Sequence, residues 1–151
     1  MTDKRGFTLM ELMIAIAIMV VIMAYGGFNF VKMAPKRRLS GASFDITTAL
    51  RQARMRAASG NTTAKVTFAG NTVTVWVDYD KDGVADAGES YTKTIDSKIT
   101  FTKYPDTGTF NSRGMFESSY LYMYMTLYLA NAGYQYIYVF PSGQVEMYNY
   151  Y

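Results

Sequence analysis

Two sets of carboxylates are the residues of this chain best placed to do chemistry. The denser set lies in Asp78-Tyr79-Asp80-Lys81-Asp82-Gly83-Val84-Ala85-Asp86-Ala87-Gly88-Glu89. Asp78, Asp80 and Asp82 supply side-chain oxygens, Gly83 the sharp turn and Val84 a backbone carbonyl. Asp86 and a bidentate Glu89 complete the calcium-loop pattern. Oxygen-only ligands at this density suit one Ca2+, because neighbouring carboxylates repel one another without a cation. The flanks support a different reading, a solvated acidic turn. Thr72–Val77 and Tyr91–Ile95 alternate like strands, and Ala85 is small where such loops carry a larger apolar residue. The second carboxylate is Glu11, the one charge in the apolar run from Phe7 to Val31. A charge inside a membrane helix costs roughly 2.5–3.5 kcal/mol on insertion scales, so it requires a functional reason.

Composition excludes several other chemistries. The chain has no cysteine and no histidine, which removes disulfides, thiol chemistry, histidine catalysis and histidine metal sites. There is no phosphate-binding loop, and no pattern that points to an enzyme. The net charge of +3 is unevenly spread. Lys32 to Lys65 is basic apart from Asp45, whereas the 78–89 loop is acidic. The basic stem suits anionic lipid headgroups or packing against neighbours better than nucleic acid.

The elements that must position these residues are legible from periodicity. Phe7 to Val31 as a helix would reach about 37 Å, enough to span a bilayer with some tilt. Ala15-Ile16-Ala17 resembles a secretory cleavage site, but it lies inside the run. Pro35 should bend or interrupt the helix. Beyond it, Leu39, Ala42, Ile46, Ala49, Leu50, Ala53 and Ala57 recur at helical spacing, and Gly60-Asn61 supplies a stop. One helix is expected from Phe7 to about Ser59, kinked near Pro35.

Period-two alternation follows. Thr63–Ala69 and Thr72–Val77 flank the turn Gly70-Asn71, and Tyr91–Ile95 and Ile99–Tyr104 read as further strands. Tyr120, Tyr122, Tyr124 and Tyr128 share one strand face, opposite Leu121, Met123, Met125, Leu127 and Leu129. Tyr134, Tyr136, Tyr138 and Phe140 share the matching face of the next strand, opposite Ile137 and Val139. With Asn131-Ala132-Gly133 as the loop, Tyr128 should face Tyr136, Tyr124 Phe140, and Leu127 Ile137. Gln144–Tyr148 closes the sheet. The fold class is α+β, a helical spine on an antiparallel sheet.

The leader Lys4-Arg5-Gly6-Phe7-Thr8-Leu9-Met10-Glu11 resembles the class III signal of type IV pilins and pseudopilins. The resemblance implies prepilin peptidase cleavage after Gly6 and N-methylation of Phe7. It also implies that Glu11 pairs with the Phe7 amine of another copy during assembly on an inner-membrane platform. The expected organisation is a leader at 1–6, a transmembrane and assembly helix at 7–33, the second half of the spine at 34–60, and a periplasmic β domain at 61–151. A count of Lys36-Arg37-Arg38 against Lys4 and Arg5 points to the opposite orientation. Leu50-Arg51-Gln52-Ala53-Arg54, Phe110-Asn111-Ser112-Arg113-Gly114 and Val139-Phe140-Pro141-Ser142-Gly143-Gln144-Val145 resemble H-type minor pseudopilins of type II secretion and T/U-type minor fimbrial subunits (the GspH/FimT-like group). Gln144 stands where that group usually has arginine. The resemblance implies a subunit that primes or caps a filament of other pilins. A filament-tip module for DNA uptake or adhesion is the alternative. The tyrosine stripe allows three readings: β-propensity, a docking face, or base stacking.

Overall fold

The structure is a computed structural model that describes residues 7–84, 86 and 88–150, with side chains described outside 25–32. Residues 1–6, Ala85 and Ala87 lie outside the described residues, so the expected cut at Gly6 does too.

A single helix, α1 (Leu9–Ser59), runs through Pro35 without interruption, and the chain divides into two compact units there, up to Ala34 and from Pro35. Every described side chain from Phe7 to Ala24 is exposed. This half of α1 is apolar all round, so it has no self-contained way to bury its surface. Among the described residues no helix is long and apolar enough to cross a membrane. The expected span, 7–33, includes residues 25–32, whose side chains are outside the description.

From Leu39 onward α1 becomes amphipathic. Leu39, Ile46, Leu50, Ala53 and Ala57 are buried, and Ala42 is half-buried beside them. The helix ends as its sequence suggests. Asn61 takes a left-handed φ of 48°. The Thr62 N–H donates to the Ala57 carbonyl at 3.0 Å, closing a Schellman-type cap.

Nine strands follow: β1 (Ala64–Ala69), β2 (Thr72–Val77), β3 (Ser90–Thr94), β4 (Thr100–Tyr104), β5 (Thr107–Phe110), β6 (Phe116–Glu117), β7 (Met123–Leu129), β8 (Gly133–Val139) and β9 (Val145–Tyr150). They form two antiparallel sheets, ordered β3-β2-β1-β5-β6 and β4-β7-β8-β9, where the sequence led us to expect one. The chain changes sheets after β3. Ile95 and Ile99 are buried, and the Asn71 amide donates to the Asp96 and Ile99 carbonyls at 3.3 and 3.2 Å. β5 and β6 escape sequence reading because Gly108 breaks the alternation. A Cβ there would lie 2.1 Å from Cζ of Phe116, so the phenyl ring occupies the side-chain space that Gly108 leaves.

The β7–β8 hairpin corrects the expected register. Leu129 pairs with Gly133, Tyr128 with Tyr134, Leu127 with Gln135 and Tyr124 with Tyr138. The loop is still three residues long, but it is centred on Asn131, at φ 65°, rather than on Ala132. Asparagine tolerates the left-handed region far better than alanine. Because the slip is two residues, each face keeps its side chains. Met123, Met125, Leu127, Ile137 and Val139 enter the core, and the tyrosines face outward.

The edge strand β3 fastens to α1 by polar contacts. The Tyr91 hydroxyl donates to the Ala49 carbonyl at 3.0 Å, and Lys93 lies 3.3 Å from Asp45. Burial of the Tyr91 phenol raises its pKa, against the pull of the Arg56 guanidinium 5.2 Å from the ring centre. Leu50, fully buried, tests this packing. Leu50→Ala should cost about 2–5 kcal/mol, read as a lower denaturation midpoint at unchanged slope. A loss under about 1 kcal/mol would show that the stem is not part of the core.

Candidate functional site

Four features carry chemistry. At the N-terminus, Thr8 is the residue before α1 and Glu11 lies in its first turn. The Thr8 N–H and hydroxyl donate to Oε2 of Glu11 at 3.0 and 3.1 Å, and the Glu11 N–H donates back to the Thr8 hydroxyl at 3.3 Å. This is a capping box, which satisfies free backbone donors and places a negative charge at the positive end of the helix. The spacing Thr8-Leu9-Met10-Glu11 carried that signal, and the sequence reading used only its charge. The Phe7–Thr8 amide persists after a cut at Gly6, so the box is compatible with processing.

The acidic loop is only partly assembled as a cation site. Asp78, Asp80 and Asp82 each offer a carboxylate oxygen within 4.8 Å of the others. Asp78 is 8% exposed, and its Oδ1 is buried without a hydrogen-bond partner among the described residues. Such an atom costs about 1–3 kcal/mol, a penalty that a cation would relieve. For Asp80, a hydrogen bond from the Asp82 N–H lowers the pKa. Desolvation and the charges of Asp82, Glu89 and Asp86 outweigh it, and the net shift is upward.

Of the other expected ligands, Glu89 is engaged elsewhere. Glu89 accepts from the Trp76 indole N–H at 3.0 Å and from the Tyr79 and Asp86 N–H groups at 2.8 and 3.2 Å. Trp76 leads the effects that hold its pKa below the usual carboxylate range, despite desolvation. The Val84 N–H donates to Oδ1 of Asp82 at 2.7 Å. Val84 and Asp86 are exposed. Three of the expected ligands therefore converge, and Glu89 closes the loop against Trp76. The donor set fits a hard, oxygen-preferring cation at Asp78, Asp80 and Asp82.

The three family-like segments meet in space. Arg54 Nε donates to the Gly114 carbonyl at 3.0 Å and its Nη2 to the Ser142 carbonyl at 3.4 Å. Arg51 Nη2 donates to the Val145 carbonyl at 3.2 Å. Gly114 and Gly143 have φ of 72° and 77°. A Cβ on Gly143 would sit 1.8 Å from the Gly114 carbonyl oxygen and 2.8 Å from Arg54 Nε. Two arginines one turn apart thus tie α1 to two loops and to the start of β9, all distant from it in sequence.

The outward face of the β4-β7-β8-β9 sheet gathers the predicted stripe. Register places Tyr124, Tyr138 and Glu146 in one row, Thr126, Tyr136 and Tyr148 in the next, and Tyr128, Tyr134 and Tyr150 in the last. Tyr104, Thr102 and Thr100 extend these rows on β4. Tyr120 and Tyr122 precede β7, and their rings join the cluster, 4.4 Å from Tyr104 and 6.2 Å from Tyr138. Among these positions Glu146 is the only charge. A concavity of about 520 Å³ opens here, lined by Tyr122, Tyr136, Tyr138, Phe140, Tyr148 and Tyr150.

Comparison with known proteins agrees at both ends of the molecule. Residues 1–25 match the prokaryotic N-terminal methylation motif. The chain has a prepilin-type N-terminus and the α+β fold of a minor pilin. The crystal structure of the type IV minor pilin FimU of Pseudomonas aeruginosa superposes with TM-score 0.61 at 12% identity, over 75% of this chain and 90% of that one. The minor pseudopilin EpsH of the Vibrio cholerae Type 2 Secretion System gives 0.57 at 9% identity, over 74% and 96%. No curated protein matches the chain in sequence.

The arginine tie predicts that Gly143→Ala destabilises by more than about 1 kcal/mol, because both backbone geometry and space are wrong for a side chain. Arg54→Lys should lose about 1.5–3 kcal/mol. Thermal unfolding of the two variants checks this, and a wild-type midpoint in both would show that the tie contributes nothing to stability.

Proposed function

We propose that this chain is a structural minor pilin or pseudopilin, not an enzyme. Prepilin peptidase cuts it after Gly6, and Phe7 is N-methylated. It waits in the inner membrane with its β domain in the periplasm. An assembly platform then draws it, with other pilins, into a pilus or pseudopilus that it primes or caps. The observation that carries this reading is the methylation motif over residues 1–25, which runs into a helix, Leu9–Ser59, whose later residues pack in the core of a minor-pilin-like fold. An apolar, fully exposed Phe7–Ala24 surface requires lipid or neighbouring helices, and a filament core supplies the second when the first is left behind.

Glu11 has two tasks in this scheme. Its Oε2 closes the capping box, and Oε1 is the oxygen we assign to the Phe7 ammonium of a neighbouring copy. Neutralising a carboxylate in an apolar surrounding gives the docking step its specificity. A DNA-binding tip role has less support. Among the described residues the tyrosine face carries no basic side chain for phosphates, and Arg51 and Arg54 are engaged by carbonyls.

We further assign the Asp78, Asp80 and Asp82 cluster to calcium, held weakly as in extracellular modules, with Glu89 remaining on Trp76. The ion would neutralise the loop and satisfy Oδ1 of Asp78.

Two experiments test these assignments. Mass spectrometry of sheared surface filaments against the envelope should find peptides beginning at methylated Phe7. Glu11→Ala should still be inserted and cleaved yet be lost from filaments, and its normal incorporation would sink the docking role. Calcium at ten times its Kd should stabilise the protein by about 1.4 kcal/mol, and Asp80→Asn should abolish the shift. An equal shift in that variant would remove calcium from this loop.

A further inference from the structure

The size of the aromatic concavity on β8 and β9 lies within the roughly 300–1,000 Å³ typical of small-ligand sites. Its aromatic lining and its charge limit what it can hold. Tyr148 stands at 77° to Tyr138, with ring centres 5.8 Å apart. Tyr150 stands at 88° to Tyr136, with centres 5.5 Å apart. Tyr122 meets Tyr138 at 52°, with centres 6.2 Å apart. Tyr138 and Phe140 lie closer to parallel, at 24° with centres 6.3 Å apart, so both ring faces and ring edges line the concavity. Each ring face carries the negative lobe of an aromatic quadrupole.

Charge narrows the choice. Among the described residues Glu146, in register with Tyr138, is the only charged side chain on this face, and no lysine or arginine shares it. The Tyr148 hydroxyl donates to Oε2 of Glu146, and the Gln144 side-chain amide donates to Oε1 at 2.6 Å. The carboxylate thus sits, oriented, beside the aromatic walls. An anion would meet no cationic partner here, whereas a weakly hydrated cation would meet aromatic rings beside a carboxylate that is hydrogen-bonded to one of them.

We infer that the concavity binds a methylated ammonium cation, the trimethylammonium group of a choline-like molecule. That group could arrive as a free solute or on a phosphocholine headgroup. The ring faces bind the methyl groups, and Glu146 supplies the long-range attraction.

The probe is choline, titrated calorimetrically into the full-length protein in a nonionic detergent. Its uncharged isostere 3,3-dimethylbutan-1-ol has the same shape without the charge. Choline should saturate one site, with the isostere binding at least about tenfold more weakly. Tyr148→Leu should weaken choline at least about tenfold, and Glu146→Gln should weaken it less. Glycerophosphocholine binding as well as choline would assign the site to headgroups, and weaker binding would assign it to the free cation. Should Tyr148→Leu unfold, Tyr150→Leu replaces a ring that is 66% exposed. Equal affinity for the isostere would overturn the proposal, as would absence of a saturable site or displacement of choline by a neutral disaccharide or an oligothymidylate.

Discussion

The constraint on which the molecule depends is that one helix must satisfy two solvents. From Phe7 to Ala24 α1 offers apolar side chains in every direction, and from Leu39 to Ala57 it offers one apolar stripe. The first surface can be stable only in lipid or among like helices. The second is stable only beneath a sheet. A mixed pattern throughout would serve neither, because a polar face toward lipid and an apolar face toward water are both costly. The transition falls near Pro35, followed by Lys36, Arg37 and Arg38. Those charges suit an interface where apolar surroundings give way to water.

Holding the stem in place then becomes the main task of the β domain. Apolar contact through Leu39, Ile46 and Leu50 alone would let the helix slide, since alanines at Ala49, Ala53 and Ala57 present a smooth stripe. Directional contacts remove that freedom. Arg54 reaches carbonyls of the loops following β5 and β8, Arg51 reaches the first carbonyl of β9, and Tyr91 and Lys93 reach Ala49 and Asp45 from the opposite edge. Guanidinium donors suit this work because they remain charged and hold several bonds in one plane. The required approach is close enough that Gly143 has no room for a side chain.

How much of this was legible depended on whether the information was local. The helix face, its Asn61 stop and most strands follow from spacing within one segment. The hairpin register did not. An odd loop fixes which faces match, but it leaves slips of two residues open, and the choice turned on Asn131 taking the left-handed conformation. Partner choice was less accessible still. β4 pairs with β7 instead of extending from β3, and β5 and β6 depend on a phenylalanine filling the space above Gly108. At the candidate sites, the motif residues were visible and their partners were not. Glu89 fits the calcium-loop pattern, yet it is taken by Trp76. The register Trp76↔Ser90 brings the indole beside it.

The same distinction separates the surfaces by the work they can do. Arg51 and Arg54 are exposed, yet each donates to carbonyls of the β domain, so their charge serves the fold itself. The acidic loop holds an excess of one sign in a small volume, and Asp78 brings an unsatisfied oxygen to its buried edge. The tyrosine face is the reverse case, with a large area and almost no formal charge. Its hydroxyls keep it wettable, while its rings remain available from one side, opposite a core filled by Met123, Met125, Leu127 and Ile137. A strand needs only the inward residues to fold. Threonine at the outward positions would have met the same β-propensity, as Thr100, Thr102 and Thr126 do. Tyrosine there adds exposed apolar area without improving the core. That cost to solubility is tolerable if the face binds something, and the near-absence of charge makes the chemistry of that partner the question the sheet poses.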